Sequence, residues 1–326
     1  MEDVAREAGV SRALVSIAFR GVSGVSDETR EHIFAAAQRL NYQPNRIASL
    51  LASKSTSSIG VFLLDLHNDL FADVHDGIRK AIAGSGKHMV LSVGSVEGEL
   101  DATALNALIQ SRVGIIIAAG LLLPDEDLLK FSRSVPILST ARRVPGLDSV
   151  YSDNLSGAQA ATRHLLNLGH RRVVFLANPQ TDGYLERQKG FVTVMKEAGL
   201  TPEIQPSAYS RTQAARDIGP LLDHPDRPTA IFAHNDQSAL GVLDAIAARG
   251  MRAPSDISVV GYDNTSASTP PGIALTTVDI HAQDLGRTAA EKALQRLTDP
   301  GAPIIDLASE PTLIVRGTTG PPPHAS

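Results

Sequence analysis

The residues best placed to do chemistry lie near the start of the chain, and the chemistry is recognition. In the stretch Gly9-Val10-Ser11-Arg12-Ala13-Leu14-Val15-Ser16-Ile17-Ala18-Phe19-Arg20, Gly9 permits the backbone excursion of a tight turn, and Ser11 is placed to cap the next helix through its side-chain oxygen. On that helix Val10, Leu14, Val15 and Ala18 can face inward. Steps of four then put Arg12, Ala13, Ser16, Ile17 and Arg20 on one outward face. Arginine, hydroxyl and small residues on a solvent-side helix suit the major groove of DNA, where they meet base edges and phosphates. The plain alternative is a solvated helix on a small helical domain, because helical hairpins with a glycine turn are common.

The elements that must hold this face follow directly. Ser26 caps a third helix whose first turn carries Asp27 and Glu28, the favourable sign for a helix N-terminus. Ile33, Phe34, Ala37 and Leu40 are spaced to close over the first two helices. Pro44 stops the third helix, Asn45 can cap a fourth, and Leu50 and Leu51 find no partner within so short a unit. The run from Ser53 to Ser58, with Lys54 inside it, reads as a linker. Over residues 1–57 seven Arg and Lys face six Asp and Glu, whereas the remainder holds 23 against 29, so the overall charge of −5 hides a barely basic start. Binding by such a unit must lean on dimerisation and on where its arginines sit.

Beyond Ser58 apolar runs alternate with amphipathic stretches. Ile59 to Leu64 is continuous and apolar, as a parallel strand covered on both faces requires. The pattern then predicts helix 71–83, strand 89–91, helix 99–111, strands 113–117 and 135–138, helix 154–168, strand 172–176, helices 184–198 and 211–222, strand 230–232, helix 235–249 and strand 257–260. Such alternation means an α/β fold, too long for one ordinary sheet. Two doubly wound lobes, with a ligand in the crevice at the strand carboxyl ends, is the natural architecture. The 326 residues include no cysteine, so disulfides and thiolate metal sites are excluded. No stretch approaches a membrane span and the N-terminus lacks a signal-peptide pattern, which argues for a cytoplasmic protein.

The first fifty residues resemble the DNA-binding headpiece of the lac-repressor (LacI/GalR) family of transcription regulators. The resemblance is carried by Asp3-Val4-Ala5, Ala8-Gly9-Val10-Ser11, Val15-Ser16, Val25-Ser26, Thr29-Arg30, Leu40-Asn41-Tyr42 and Pro44-Asn45. It implies that the second helix reads the major groove. It also implies that the segment from Asn45 is a hinge helix that pairs with its dimer mate and inserts Leu51 into the minor groove, kinking the duplex. Ile17 stands where relatives often carry a basic base-reading residue, which suits a thymine methyl, and Arg20 replaces a frequent Asn. Relatives also supply a Thr cap ahead of the first helix, where this chain starts at Met1, so fraying of that helix and either a trimmed or a misassigned start are expected.

The resemblance extends over the rest of the chain through Asp153-Asn154 with Gly157, Leu168-Gly169-His170-Arg171-Arg172, Arg187-Gln188-Lys189-Gly190-Phe191, Asn235-Asp236 with Ala239-Leu240-Gly241, and Ile257 to Asp263. Gly169-His170 reads as a helix C-cap, where a cation at the helix end is favourable, and His170 as a structural residue. The family's core resembles periplasmic sugar-binding proteins, dimerises and takes a small effector between its lobes. The resemblance places Arg187, Asn235 and Asp263 in that pocket, with Asp153 a further contact; Asn235, opening a helix, is equally suited to be only a cap. The family's Asn-Pro-Phe-Phe is here Asn68-Asp69-Leu70-Phe71, leaving Leu70 and Phe71 to form the apolar wall. With no Trp in the chain, stacking on a sugar face falls to Phe71, Tyr184 or Tyr262. A polyol fits this set, and so would a purine or an acidic metabolite.

An enzyme is poorly supported. No Ser-His-Asp order, phosphate loop or metal cluster stands out, and none of the ten His forms a His-x-x-x-His pair. A solute-binding receptor would share the core yet has no use for the headpiece. The expectation is therefore a helix-turn-helix domain (1–44), a hinge helix and linker (45–57) and a core (58–326) whose lobes span about 58–153 with 282–315, and about 154–281. It would bind a palindromic operator as a dimer under control of a small effector, a sugar in the first instance, with no cofactor. The tail from Gly320 has no heptad pattern, so the tetramer-forming coil of some relatives is not expected.

Overall fold

A computed structural model describes residues 1–20, 23–42, 58–178 and 185–323, excluding the side chain of Arg20, as two compact units, Met1–Thr56 and Ser57–Ser326. The expected hinge helix with Asn45 and Leu51, and Tyr184 in the core, lie outside the described residues.

The first unit holds α1 (Glu2–Glu7), α2 (Arg12–Arg20) and α3 (Asp27–Arg39). Gly9 takes φ +61° at the turn, Ser11 Oγ accepts from Leu14 N at 3.2 Å, and Ser26 Oγ accepts from Thr29 N at 3.3 Å. No side chain caps α1. The core is small: Val4, Ala5, Ala8, Val15, Ala18, Ile33, Ala36 and Ala37. This corrects the expected packing in two places. Leu14 and Val10 are only half-buried, and Phe34 and Leu40 are 42% and 43% exposed. Alanines let the three short helices approach closely, which leaves no room inside for the larger side chains. Phe34 instead covers Phe19 at the rim, ring centroids 5.2 Å apart.

The second unit runs β1 (Ser58–Leu63), α4 (Asp69–Ile82), β2 (His88–Val93), α5 (Asp101–Gln110), β3 (Ile116–Ala119), α6 (Asp125–Phe131), β4 (Ile137–Thr140), β5 (Asp148–Ser152), α7 (Asn154–Asn167), β6 (Val173–Ala177), α8 (Glu186–Glu197), β7 (Glu203–Pro206), α9 (Arg211–Asp223), β8 (Ala230–Ala233), α10 (Asp236–Ala247), β9 (Ser258–Val260), β10 (Thr277–Asp279), α11 (Ala282–Thr298), β11 (Asp306–Ser309) and β12 (Thr312–Ile314). Six strands form one sheet in the order β11-β5-β4-β3-β1-β2 and four form another, β7-β6-β8-β9, all pairings parallel. A short antiparallel pair, β10-β12, forms a separate ladder that is bridged to the end of β9 and the chain after it, with Asp263 N donating to the Val278 carbonyl at 2.8 Å. Every residue of β1 is buried, as the apolar run requires of a central parallel strand, whereas the edge strand β2 is part-exposed. The strand expected at 113–117 sits three residues later, with Val113 and Ile115 buried ahead of it.

Two sheets with helices on their faces are the observed architecture, and the strand orders put β1-β3 and β6-β8 at the positions where neighbouring crossovers diverge. The helix layer on the larger sheet is drawn tight by two glycines. A Cβ on Gly77 of α4 would overlap the Gln283 carbonyl of α11, and one on Gly286 of α11 would overlap that of Val74. Backbone therefore meets backbone there. His170 corrects the cation reading. It is fully buried, with Nδ1 2.9 Å from Thr229 Oγ1 and Nε2 2.8 Å from the Gly320 carbonyl, and burial lowers its pKa, so it serves as a neutral staple. Gly169, at φ +101°, does end α7 as expected.

Candidate functional site

In the first unit Ser11, Arg12 and Ala13 are exposed, and Ser16 and Ile17 are half-buried, all on or leading into α2. Ser11 Oγ is committed to the cap. Arg12 reaches Glu2 at 3.5 Å, but both side chains are more than two-thirds exposed, and such a pair is worth little. Its guanidinium is thus available to an incoming base or phosphate. Arg20 ends the helix.

In the second unit a cleft opens where strands of both sheets end. Leu64 and Asp65 follow β1, Val96 follows β2, Gly120 follows β3, Ala141 follows β4, Tyr209 follows β7, His234 and Asn235 follow β8, and Asp263 follows β9. Each line of chain leaves its sheet at the carboxyl edge, so the geometry of parallel strands gathers these residues by itself. Asn68, Leu70 and Phe71 come from the start of α4, Arg187 from the first turn of α8 and Gln237 from that of α10. Asn68 and Asn235 cap their helices, accepting from Leu70 N at 3.1 Å and Ser238 N at 2.9 Å. Gly120 takes φ +87°, and a side chain there would run into the Phe71 ring, so the glycine is what lets that ring close the wall.

The floor is polar and nearly dry. Arg187 donates from Nε to Asn154 Oδ1 at 2.8 Å, from Nη1 to the His234 carbonyl at 2.6 Å and from Nη2 to Asp263 Oδ1 at 3.1 Å. Its guanidinium lies 3.7 Å over the Tyr262 ring. These bonds use three of the five N–H donors and fix the fork, leaving one donor on each terminal nitrogen for two oxygens of a ligand. Asp263 sits at φ +105°, a strained conformation for a side-chain-bearing residue. Burial raises its pKa, and the Arg187 charge opposes that rise. Behind it Asp236 accepts from Thr265 N, Thr265 Oγ1 and Thr277 Oγ1 at 2.7, 3.1 and 2.5 Å, and burial pushes it up to about 6. Burial, aided by Arg187, holds His234 well below the usual imidazole range, so that ring is neutral.

Leu70, Phe71, Arg187, Asn235 and Asp263 are thus brought to one cavity. Asp153 is not: its carboxylate accepts from Ser156 N at 3.0 Å and caps α7. Tyr262, offered as a stacking ring, is fully buried beneath Arg187 and cannot face a ligand. The aromatic surface is instead Phe71 with Tyr209, whose ring meets His234 edge-on at 5.9 Å. Tyr209 and His234 escaped the sequence reading; the signal that could have found them is their place in the segments that follow β7 and β8. Among the described residues no cluster of His, Asp or Glu could hold a metal ion, and no helix is long and apolar enough to cross a membrane.

The chain matches two family models: bacterial regulatory proteins of the lacI family over residues 1–45, and the periplasmic binding protein-like domain over 162–319. It is 30% identical to catabolite control protein A of Priestia megaterium, covering 88% of this chain and 89% of that one. It is equally 30% identical to the transcriptional repressor PurR of Photobacterium profundum, with 97% of each covered. Among solved structures it is similar to the lac repressor dimer bound to operator and the anti-inducer ONPF, with 31% identity, 98% of each chain covered and a TM-score of 0.85. With a helix-turn-helix unit, a two-sheet core and relatives of this kind along its length, the chain belongs to the lacI family of bacterial DNA-binding transcription regulators.

Proposed function

We propose that the chain is a repressor that binds a near-palindromic operator as a homodimer, with its DNA affinity set by a sugar in the core cavity. The observation that carries this reading is the Arg187–Asp263 pair: a charged fork, locked by three acceptors, that still presents donors to an open cavity beside an aromatic wall. Hydroxyl-rich ligands need such fixed donors and acceptors next to an apolar face. The lac repressor, at 31% identity, is bound to operator and ONPF in its structure, which supports the same division of labour here.

In this reading residues 1–44 read DNA through Ser11, Arg12, Ala13, Ser16, Ile17 and Arg20. The hinge, 45–57, holds Asn45 as cap and Leu51 as minor-groove wedge. The core, 58–326, joins a lobe of about 58–153 with 282–315 to a lobe of about 154–281. Leu70, Phe71, Arg187, Asn235 and Asp263 contact the effector, and Tyr184 belongs with them. A ligand preferring one lobe arrangement shifts hinge spacing and so changes operator affinity by the coupling free energy, typically about 1–3 kcal/mol. The protein acts in the cytoplasm and performs no catalysis; relatives named as regulators support this.

A thermal-shift screen over pentoses, hexoses, disaccharides, polyols and purines tests the reading. A ligand at a hundred times its Kd adds roughly 2.7 kcal/mol of stability. A saturable hit lost in Asn235→Ala is the expected outcome; a hit unaffected by that change would place the ligand elsewhere.

A further inference from the structure

We infer that the cavity selects an uncharged sugar and excludes its phosphorylated or carboxylated counterparts; this rests on the reading of the cavity as the effector site. The argument is an inventory of charge. Among the described residues that line the cavity, Arg187 is the one cationic side chain, and Asp263 already stands against it at 3.1 Å, with both side chains at most 9% exposed. Asp65 adds a second carboxylate to the lining. Asp236 lies directly behind Asp263 and adds a third negative group to the same wall once ionised.

Helix N-termini are the usual substitute for a cation in binding phosphate, and α4, α8 and α10 all begin at this cavity. Each is blunted. Asn68 accepts from one N–H of α4 and Asn235 from one of α10, α8 has no side-chain cap, and every one of the three carries an acid in its first turn: Asp69, Glu186 and Asp236. The two imidazoles at hand do not reverse the balance. His234 is buried and held neutral by desolvation, and His67 lies outside the lining, 92% exposed, with its ring against Asp65 at 3.0 Å.

An anionic ligand would therefore meet two or three carboxylates and one compensated guanidinium in a site of low dielectric, where like charges cannot be screened. A neutral polyol meets the opposite situation. It uses the two free donors of Arg187 and the acceptor lone pairs of Asp263, Asp65 and Asn235 for hydroxyl groups, and adds no charge. The selection is thus made by what the cavity lacks as much as by what it holds.

The test is isothermal titration of the full-length protein at pH 8 with matched pairs: ribose and ribose 5-phosphate, glucose and glucose 6-phosphate, glucose and gluconate, galactose and galacturonate, and cellobiose and cellobionate. The expected result is binding confined to neutral members, with the charged partner of any bound sugar at least about a hundredfold weaker. Asp65→Asn is expected to narrow that gap while leaving the fold, read by thermal melting, intact. Binding of a phosphate or acid as tight as or tighter than its neutral partner, and lost in Asn235→Ala, would overturn the inference while leaving the effector site in place. Binding of any member that Asn235→Ala and Phe71→Ala both leave unchanged, or a panel without heat throughout, would overturn the effector-site reading and the inference with it.

Discussion

Arg187 and Asp263 are held where neither is open to bulk water, so each determines what the other costs. Removing the arginine strands a buried carboxylate, and Arg187→Ala is expected to lower stability by about 3–5 kcal/mol in urea denaturation. The double change with Asp263→Ala should cost less than the sum of the two single ones, because the pair is coupled through direct contact. Asp101 gives a pH signature of its own. It is fully buried at the start of α5, and burial raises its pKa from 3.8 to about 6. Between those values the unfolded chain has released a proton that the folded chain keeps, so stability falls as pH rises from 3.8 to about 6 and is level above. Asp101→Asn keeps an acceptor for Leu122 N, which now bonds Asp101 at 2.8 Å. It should remove that limb of the pH profile and be the more stable protein at pH 7.5, by about 3 kcal/mol in thermal melts. On the DNA side, Arg12→Ala should weaken binding to a selected operator by about 1–3 kcal/mol and relax preference at one base position. Equal loss on all sequences would reduce Arg12 to a phosphate contact.

Among the elements, the α4–α11 contact is the one most dependent on two residues. Gly286→Ala inserts a methyl group into the Val74 carbonyl and should destabilise the core by about 1–3 kcal/mol or more, read by urea denaturation with unchanged headpiece helicity. The helices were legible in the sequence where a cap and a 3.6-residue period coincide, as at Ser11 for α2, Ser26 for α3 and Asn235 for α10. The strands were legible where they carry an apolar run, at the edges β2 and β9 as well as in the centre. β5 (DSVYS), β7 (EIQP) and β11 (DLAS) were not, because their polar residues interrupt any apolar run. The site was legible where a charged or amide residue follows a strand or opens a helix, as with Arg187, Asn235 and Asp263. Tyr209 and His234 also follow strands, but neither carries a charged or amide side chain to single it out. Tyr262 misled because a ring at a strand end suits either side of the sheet, and only the packing of Arg187 over it decides which.

At the scale of the molecule, a weakly charged reading head is joined to a larger acidic core. The net charge of −5 over 326 residues leaves little long-range attraction to DNA. Specific contacts from two copies, with binding adjustable by a modest free energy, suit a regulator that must also let go. The fragment 58–326 is accordingly expected to keep sugar binding and lose DNA binding altogether. The central claim is the coupling between cavity and DNA, and the most direct measurement is operator affinity of the full chain by fluorescence anisotropy. The duplex is one selected from random DNA, and Kd is compared without sugar and with the sugar that raises the melting temperature at saturation. The account predicts a change in Kd of roughly 5- to 150-fold, absent in a ligand-blind Asn235→Ala variant. Equal Kd values with the cavity empty and saturated would contradict it.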